Sequence, residues 1–410
     1  MLRSTRMSKM KRPRNRKHAN VVARPSGPRS RVTDDTDAVA VRDGAATASY
    51  AASLTTSRIV DSGFRESFAA YADAHSVHPL FLLGNAEAVL RELPSESVDF
   101  CMTSPPYWGK RSYAGGGIGL EPDFRDYITR LCAVLREVKR VLKAAGSFWL
   151  NIGDTYSDKR LMGIPWRVAL VLTDEQGWIL RDDVVWHKVK GGPDNATDRL
   201  RNVHEPVFHF VKTPSGYYFD ADAIRADPRK TKVVNGAIVS ASGVTGVRYR
   251  RQVEMSTALT DDEKEQALTK LSRMLQAVQR GDTSDFRMII RGQQRTTHSD
   301  SLMVSGRARE LHEKGFYFLR YHPNGSMPAD VWDILPEDTQ GRVSHFAPYP
   351  VDLCRMPIRA TCPPGGIVLD PFCGTGTTML AARNLGRRSV GIDIAEQYLA
   401  IAAERCASLL

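Results

Sequence analysis

Short apolar runs alternate with stretches of helical spacing along most of this 410-residue chain. HPLFLLG (78–84) reads as a buried strand and AEAVLREL (86–93) as a helix, and SVDFCMTS (97–104) is a strand that stops at two prolines. The amphipathic stretch from Phe124 to Lys143 predicts a helix ending near Gly146. The strand SFWLNIG (147–153), a helix through 163–176 and the strands WILRDDVVW (178–186) and EPVFHFVK (205–212) follow. After Asp330 the alternation resumes with a helix (350–361), the strand GIVLD (366–370), the helix TMLAARNLG, the strand RRSVGIDI (387–394) and a last helix to Leu410. This order predicts an α/β fold, a doubly wound and mostly parallel sheet covered on both faces. Trp149, Trp166, Trp178 and Trp186 fall within these elements and are expected in the core.

Two stretches depart from the pattern. Residues 1–31 hold 11 Lys and Arg and no acid. With the Ala-, Thr- and Ser-rich residues after them they read as a disordered tail reaching to residue 75, order beginning near residue 78. Residues 225–330 carry 18 basic and 12 acidic residues and lack the repeating pattern, apart from one helix that Thr260 caps, Glu263 supports as a capping box and Gly281 ends.

The whole chain has 57 Lys and Arg against 46 Asp and Glu, a net +11. The tail alone accounts for that excess, so bulk charge is no argument for a nucleic-acid partner. Six cysteines without a C-x-x-C pair or a Cys/His cluster exclude a zinc ribbon, no metal is expected, and the thiols should be free and buried. With no uncharged apolar stretch of the ~18 residues a span requires, and no apolar signal core, a soluble cytoplasmic protein without membrane partners is expected.

Two loops carry candidate chemistry. In GIVLDPFCGTGTT, Asp370 ends a strand, Gly374 and Gly376 form the turn, and a helix follows. Asp393, at the end of the next strand, suits a ribose diol. The third glycine of a dinucleotide fingerprint is absent, and Asp370 would repel a pyrophosphate. It suits an ammonium or sulfonium group, which favours S-adenosylmethionine over NAD. The second loop is Thr103-Ser104-Pro105-Pro106-Tyr107-Trp108. Two prolines fix the backbone and remove two N–H donors, leaving carbonyl acceptors beside a hydroxyl and an aromatic ring. Acceptors from Ser104 and the Pro105 carbonyl suit an exocyclic amine attacking a methyl group in line, on a base held by Tyr107 outside the stack.

With these loops in hand, the sequence resembles the amino-methylating DNA methyltransferases of bacteria and phages, the beta group in which S/D-P-P-Y precedes the cofactor motif. TSPPYWGKRSYAGGGIGLE, GSFWLNIGDTY, VWHK, DRLRNVHEPVFHFVK, DVWDI, HFAPYP and VLDPFCGTGTT followed by GRRSVGIDI occur in that family's order. The resemblance implies a Rossmann-like S-adenosylmethionine-dependent methyltransferase fold. Its catalytic half would be residues 76–224, its target-recognition insert 225–330 and its cofactor half 331–410. It implies that Asp370, Phe372, Gly374, Gly376 and Thr377 line the S-adenosyl-L-methionine pocket, that Asp393 holds the ribose, and that His345, Phe346 and the residues up to Pro350 close it. Ser104, Pro105, Pro106 and Tyr107 would form the catalytic pocket, with Asp154 near it. The chain departs from the family where VKGGPDNATDR follows VWHK and where Asp393 replaces a glutamate.

Serine before P-P-Y goes with cytosine N4 in this family, which is the expectation here. Adenine N6 and a catalytically inactive DNA-binding relative are the alternatives. Attack through carbon 5 would need a cysteine nucleophile beside the prolines, where Ser104 stands. The glutamine-modifying relatives use N-P-P-Y and the opposite motif order. Arg248, Arg250, Arg251, Arg287, Arg291 and Arg295, with Arg307 and Arg309, are candidates for phosphate contact and guanine readout, about half of them expected to be solvated surface charges. His187 and His204 flank a variable loop and are expected to satisfy local hydrogen bonds. The expected partners are double-stranded DNA and a cognate restriction endonuclease, the protein acting as a monomer or homodimer.

Overall fold

A computed structural model of the chain describes residues 57–110, 117–190, 196–227, 232–234, 237–239, 246–292, 301–303, 305–337 and 349–407. The basic tail, Arg295, His345 and Phe346 lie outside the described residues.

The chain opens with β1 (Arg58–Val60), α1 (Phe64–Asp73), β2 (Leu80–Leu83), α2 (Ala86–Glu92), β3 (Val98–Thr103), α3 (Phe124–Val141) and β4 (Leu142–Asn151). A small hairpin of β5 (Tyr156–Ser157) and β6 (Arg160–Leu161) leads into α4 (Ile164–Asp174), β7 (Ile179–His187) and β8 (His204–Val211). Then come β9 (Lys232–Val234), β10 (Ala237–Val239), α5 (Gly246–Glu254), α6 (Asp261–Arg280), β11 (Asp285–Ile290), α7 (Gly306–Lys314) and β12 (Phe316–Tyr321). The last part is β13 (Val331–Asp333), α8 (Val351–Thr361), β14 (Ile367–Asp370), α9 (Thr377–Asn384), β15 (Arg388–Asp393) and α10 (Glu396–Ala407).

Nine strands form one sheet in the order β1-β2-β15-β14-β3-β4-β8-β7-β13. Every neighbouring pair is parallel except those made by β8, which runs against both β4 and β7. Alternation along the central strands assigns side chains to two faces. Leu80 and Leu82, Phe148 and Leu150, and Ile367 and Leu369 pack under α1 to α4, while Phe81, Trp149 and Val368 pack under α8 to α10. Both faces are therefore dry, and the layers are helix, sheet, helix.

Three local differences from the sequence reading have simple causes. β1 and α1 lie inside the stretch read as tail: Arg58–Val60 adds an edge strand to β2, and Phe64, Phe68 and Tyr71 of α1 are buried. The strand after α3 starts at Leu142, not residue 147, because a register irregularity between Val98 and Phe100 lets Leu142 pair with Val98 before the main ladder begins. Trp166 is 48% exposed on α4 and only touches the core edge-on, at 5.0 Å from Phe208. Trp149, Trp178 and Trp186 are buried.

Residues 246–321 build a core of their own. Tyr249 and Val253 of α5, Leu271 and Met274 of α6, and Phe286, Met288, Phe316 and Phe318 of the antiparallel β11–β12 ladder pack together, apart from the two cores of the sheet. Thr260 Oγ1 accepts from the Glu263 N–H at 3.2 Å while Glu263 accepts from the Thr260 N–H, a complete capping box, and Gly281 ends α6 in the left-handed region. The chain then returns to the sheet, where β13 pairs with β7 in the register Trp332 to Trp186.

Candidate active site at the carboxyl edge of the sheet

The sheet changes winding direction between β14 and β3: from β14 the chain moves outward to β15, and from β3 it moves the opposite way to β4. Such a switch point opens a crevice at the carboxyl ends of the two strands. Asp370 ends β14 and Thr103 ends β3. Their side chains meet, Thr103 Oγ1 donating to Asp370 Oδ1 at 2.6 Å, so the two loops singled out in the sequence are joined although 267 residues separate them.

Asp370 is 2% exposed and accepts four hydrogen bonds: Thr103 and the Phe372 N–H on Oδ1, and Tyr349 and Thr378 on Oδ2. Tyr349 and Thr378 also bond each other. A carboxylate has roughly four lone-pair sites, so none remains for direct contact with a ligand. Against the expectation of direct cofactor contact, these sites are filled from within the protein. Burial raises its pKa to about 6, against the lowering effect of those hydrogen bonds.

Asp393 is different. Its oxygens accept one bond each, from the Gly374 and Ala395 N–H groups at 2.9 Å, and the side chain is half-buried. Burial raises its pKa, opposed by the Ala395, Gly374 and Ile394 backbone donors. An acceptor site remains open on a carboxylate with roughly four, which fits a ribose hydroxyl. Gly374 and Gly376 both have positive φ, and a Cβ on Gly376 would stand 2.8 Å from that of Ala402 in α10. Close helix packing, and not only ligand approach, thus explains the second glycine. Phe372 is half-buried against the core and Thr377 is buried at the first turn of α9.

Beyond β3, Pro105 is buried and Ser104, Pro106 and Tyr107 are half-buried. The Pro106 carbonyl accepts from Tyr127 at 2.8 Å, whereas among the described residues no donor meets that of Pro105. Ser104 Oγ donates to the Tyr107 hydroxyl at 3.1 Å, which donates to Glu205 Oε2 at 2.9 Å and lies 3.2 Å from Asn151 Oδ1. Glu205 also takes Asn151 Nδ2 at 3.2 Å and Lys188 Nζ at 2.5 Å. Burial and then the Glu205 charge push the Tyr107 phenol well above its ordinary pKa, keeping it a neutral donor. The Tyr107 ring lies against Gly153, where a Cβ would come within 2.5 Å of it.

The pattern of apolar positions does not reveal Glu205. It enters because β8 is reversed, which brings the amino end of that strand to the carboxyl ends of its neighbours. Tyr107, Lys110, Lys188, Arg199, His204 and Glu205 border a cleft of about 240 Å³. Asp154 also reaches this cleft, but its carboxylate accepts the Thr155, Gly163 and Ile164 N–H groups and so fixes the start of α4. His187 bonds Asp333 at 2.7 Å and His204 is exposed at the cleft.

The arginine candidates divide. Arg248, Arg250 and Arg251 are exposed on α5, and Arg287 is half-buried on β11. Arg291 is held internally by both Glu263 oxygens and by the Ala258 and His312 carbonyls, which corrects its place among the DNA-contacting candidates. Cys101 and Cys373, the thiols nearest the two loops in sequence, are buried, and burial pushes both well above the ordinary thiol range. Among the described residues no helix is long and apolar enough to cross a membrane.

Residues 98–404 match the N6/N4 methyltransferase family, described as DNA methylase. The chain belongs to this family. Among the relatives of this DNA methylase, the Type II methyltransferase M.SfiI of Streptomyces fimbriatus is 32% identical over 375 residues, covering 77% of this chain and 88% of that protein. The Type II methyltransferase M.SmaI of Serratia marcescens is 29% identical, covering 79% and 89%. Of solved structures, the PvuII DNA methyltransferase (cytosine-N4-specific) is similar with a TM-score of 0.47 at 17% identity, covering 80% of the DNA methylase and 86% of that chain.

Proposed function

We propose that this DNA methylase transfers the methyl group of S-adenosyl-L-methionine to the exocyclic N4 of cytosine in double-stranded DNA, as the modification enzyme of a Type II restriction-modification pair. The observation that carries the reading is the Thr103–Asp370 hydrogen bond, which sets an amine-accepting loop beside a nucleoside-type loop at the switch point of the sheet. When bound, the cofactor supplies an electrophilic methyl group open to direct in-line attack. Asp393 would hold its ribose, and the Gly374–Thr377 turn and Phe372 its remaining surface.

The protein's part is positioning. The Pro105 carbonyl and Ser104 Oγ accept from the target amine, which draws its lone pair out of conjugation with the ring. Tyr107 holds the base by its face, its hydroxyl anchored on Glu205. An amine paired inside a duplex is out of reach of these acceptors, so in this reading the target base leaves the stack toward the cleft that Tyr107 borders. No cysteine nucleophile is required, which agrees with the buried thiols. Residues 225–330 would serve as the target-recognition region, with Arg248, Arg250 and Arg251 on phosphates and guanines. Ser104 favours cytosine over adenine.

Incubation with S-adenosylmethionine and unmethylated DNA, followed by digestion to nucleosides, is expected to yield N4-methylcytosine. N6-methyladenine would move the assignment to the other amine, and no methylated nucleoside would overturn it. Sequencing the product then gives the recognition site.

A further inference from the structure

Leu200 is 90% exposed. Single exposed apolar residues are ordinary on protein surfaces, so the exposure alone carries nothing. Its setting does. The Arg199 guanidinium lies 4.3 Å over the Tyr156 ring, which sets the loop beside the β5–β6 hairpin. The Asp198–Lys159 pair at 2.8 Å is solvent-exposed, and the Arg199 bond to the Leu200 carbonyl and the His204 N–H bond to Asn202 Oδ1 are local to the loop, so what sets Leu200 apart is its place at the cleft. Arg199, Asn202 and His204 border the cleft beside Tyr107.

A target base taken out of a duplex leaves a gap, and breaking its stacking and pairing costs a few kcal/mol. Apolar side chains inserted between base steps offset that cost, and neighbouring arginines neutralise the flanking phosphates. We propose that Leu200 is the wedge that fills the stack when the target base enters the cleft, with exposed Arg201 and Arg199 on the backbone at either side. The inference rests on the base-extruding reading given above.

The test uses the full-length protein and an oligonucleotide duplex bearing the mapped recognition site. A second duplex is identical but has an abasic position opposite the target, which is then already unpaired. Single-turnover methyl transfer by Leu200→Gly is expected to slow about tenfold on the paired duplex and to come within about twofold of the parent on the abasic one. Leu200→Met, which keeps an apolar side chain of similar length, is expected to restore the rate on the paired duplex. Equal rates for Leu200→Gly and the parent on the paired duplex would overturn the wedge, and so would a Gly variant equally slow on both. If the parent methylates neither duplex, the underlying function fails and the wedge falls with it.

Discussion

At Glu205 one carboxylate takes the Tyr107 hydroxyl, the Asn151 amide and the Lys188 ammonium group, with only 14% of its side chain exposed. Glu205→Ala leaves a phenol and an ammonium group without their acceptor. It is expected to destabilise the protein by about 2 kcal/mol in urea unfolding and to lower kcat by about tenfold through loss of Tyr107 positioning. Glu205→Gln, which still accepts a hydrogen bond, should recover most of the stability. Asp370 gives a pH signature. Its carboxyl rises from an ordinary 3.8 to about 6 in the fold, so the folded state binds the proton more tightly than the unfolded chain. The stabilising effect of that proton is full below the unfolded value and lost as pH rises through about 6, at a cost of about 3 kcal/mol by neutrality. Relative to Asp370→Asn, which cannot ionise, the parent should therefore gain thermal stability between pH 7 and pH 5. An unchanged difference in Tm would refute the buried-carboxylate account.

Among the elements, Gly376 offers the sharpest packing test. It sits at φ 77° with α10 directly against it, so Gly376→Ala combines backbone strain with a 2.8 Å clash. A loss of about 2 kcal/mol or more in denaturant unfolding is expected, with or without cofactor present. Element identity is legible where the sequence states a local rule. The α6 boundaries follow from Thr260, Glu263 and Gly281, and the central strands from uninterrupted apolar runs. β1 is not legible, because three residues on a sheet edge carry too short a pattern, and α1 owes its order to packing of Phe64, Phe68 and Tyr71. The reversal of β8 is equally hidden: a strand covered on both faces is apolar whichever way it runs. Glu205 is hidden for the same reason, since only the strand's direction brings it to Tyr107. The motif residues themselves are legible, but the sharing of Asp370 among Thr103, Tyr349 and Thr378 is a three-dimensional fact.

For the whole molecule, charge is distributed rather than merely positive: residues 1–31 carry 11 basic and no acidic side chains, and residues 225–330 carry 18 against 12. Deleting residues 1–31 is expected to weaken non-specific DNA binding and to flatten its dependence on salt, measured by titration at several salt concentrations. Unchanged salt behaviour would assign the tail no role in DNA contact. The strand order also constrains how the protein is made. β14 and β15 lie between β2 and β3 but are encoded long after them, Asp370 following Thr103 by 267 residues, so the ribosome finishes most of the chain before the middle of the sheet can close. Until then β2 and β3 present open edges, a state prone to pairing with other chains. The α5–α6 and β11–β12 region, having its own core, makes most of its contacts within a stretch that is encoded before β14 and β15. The crevice between β3 and β14 comes into being only when the C-terminal segment docks, so a nascent chain holds no competent site.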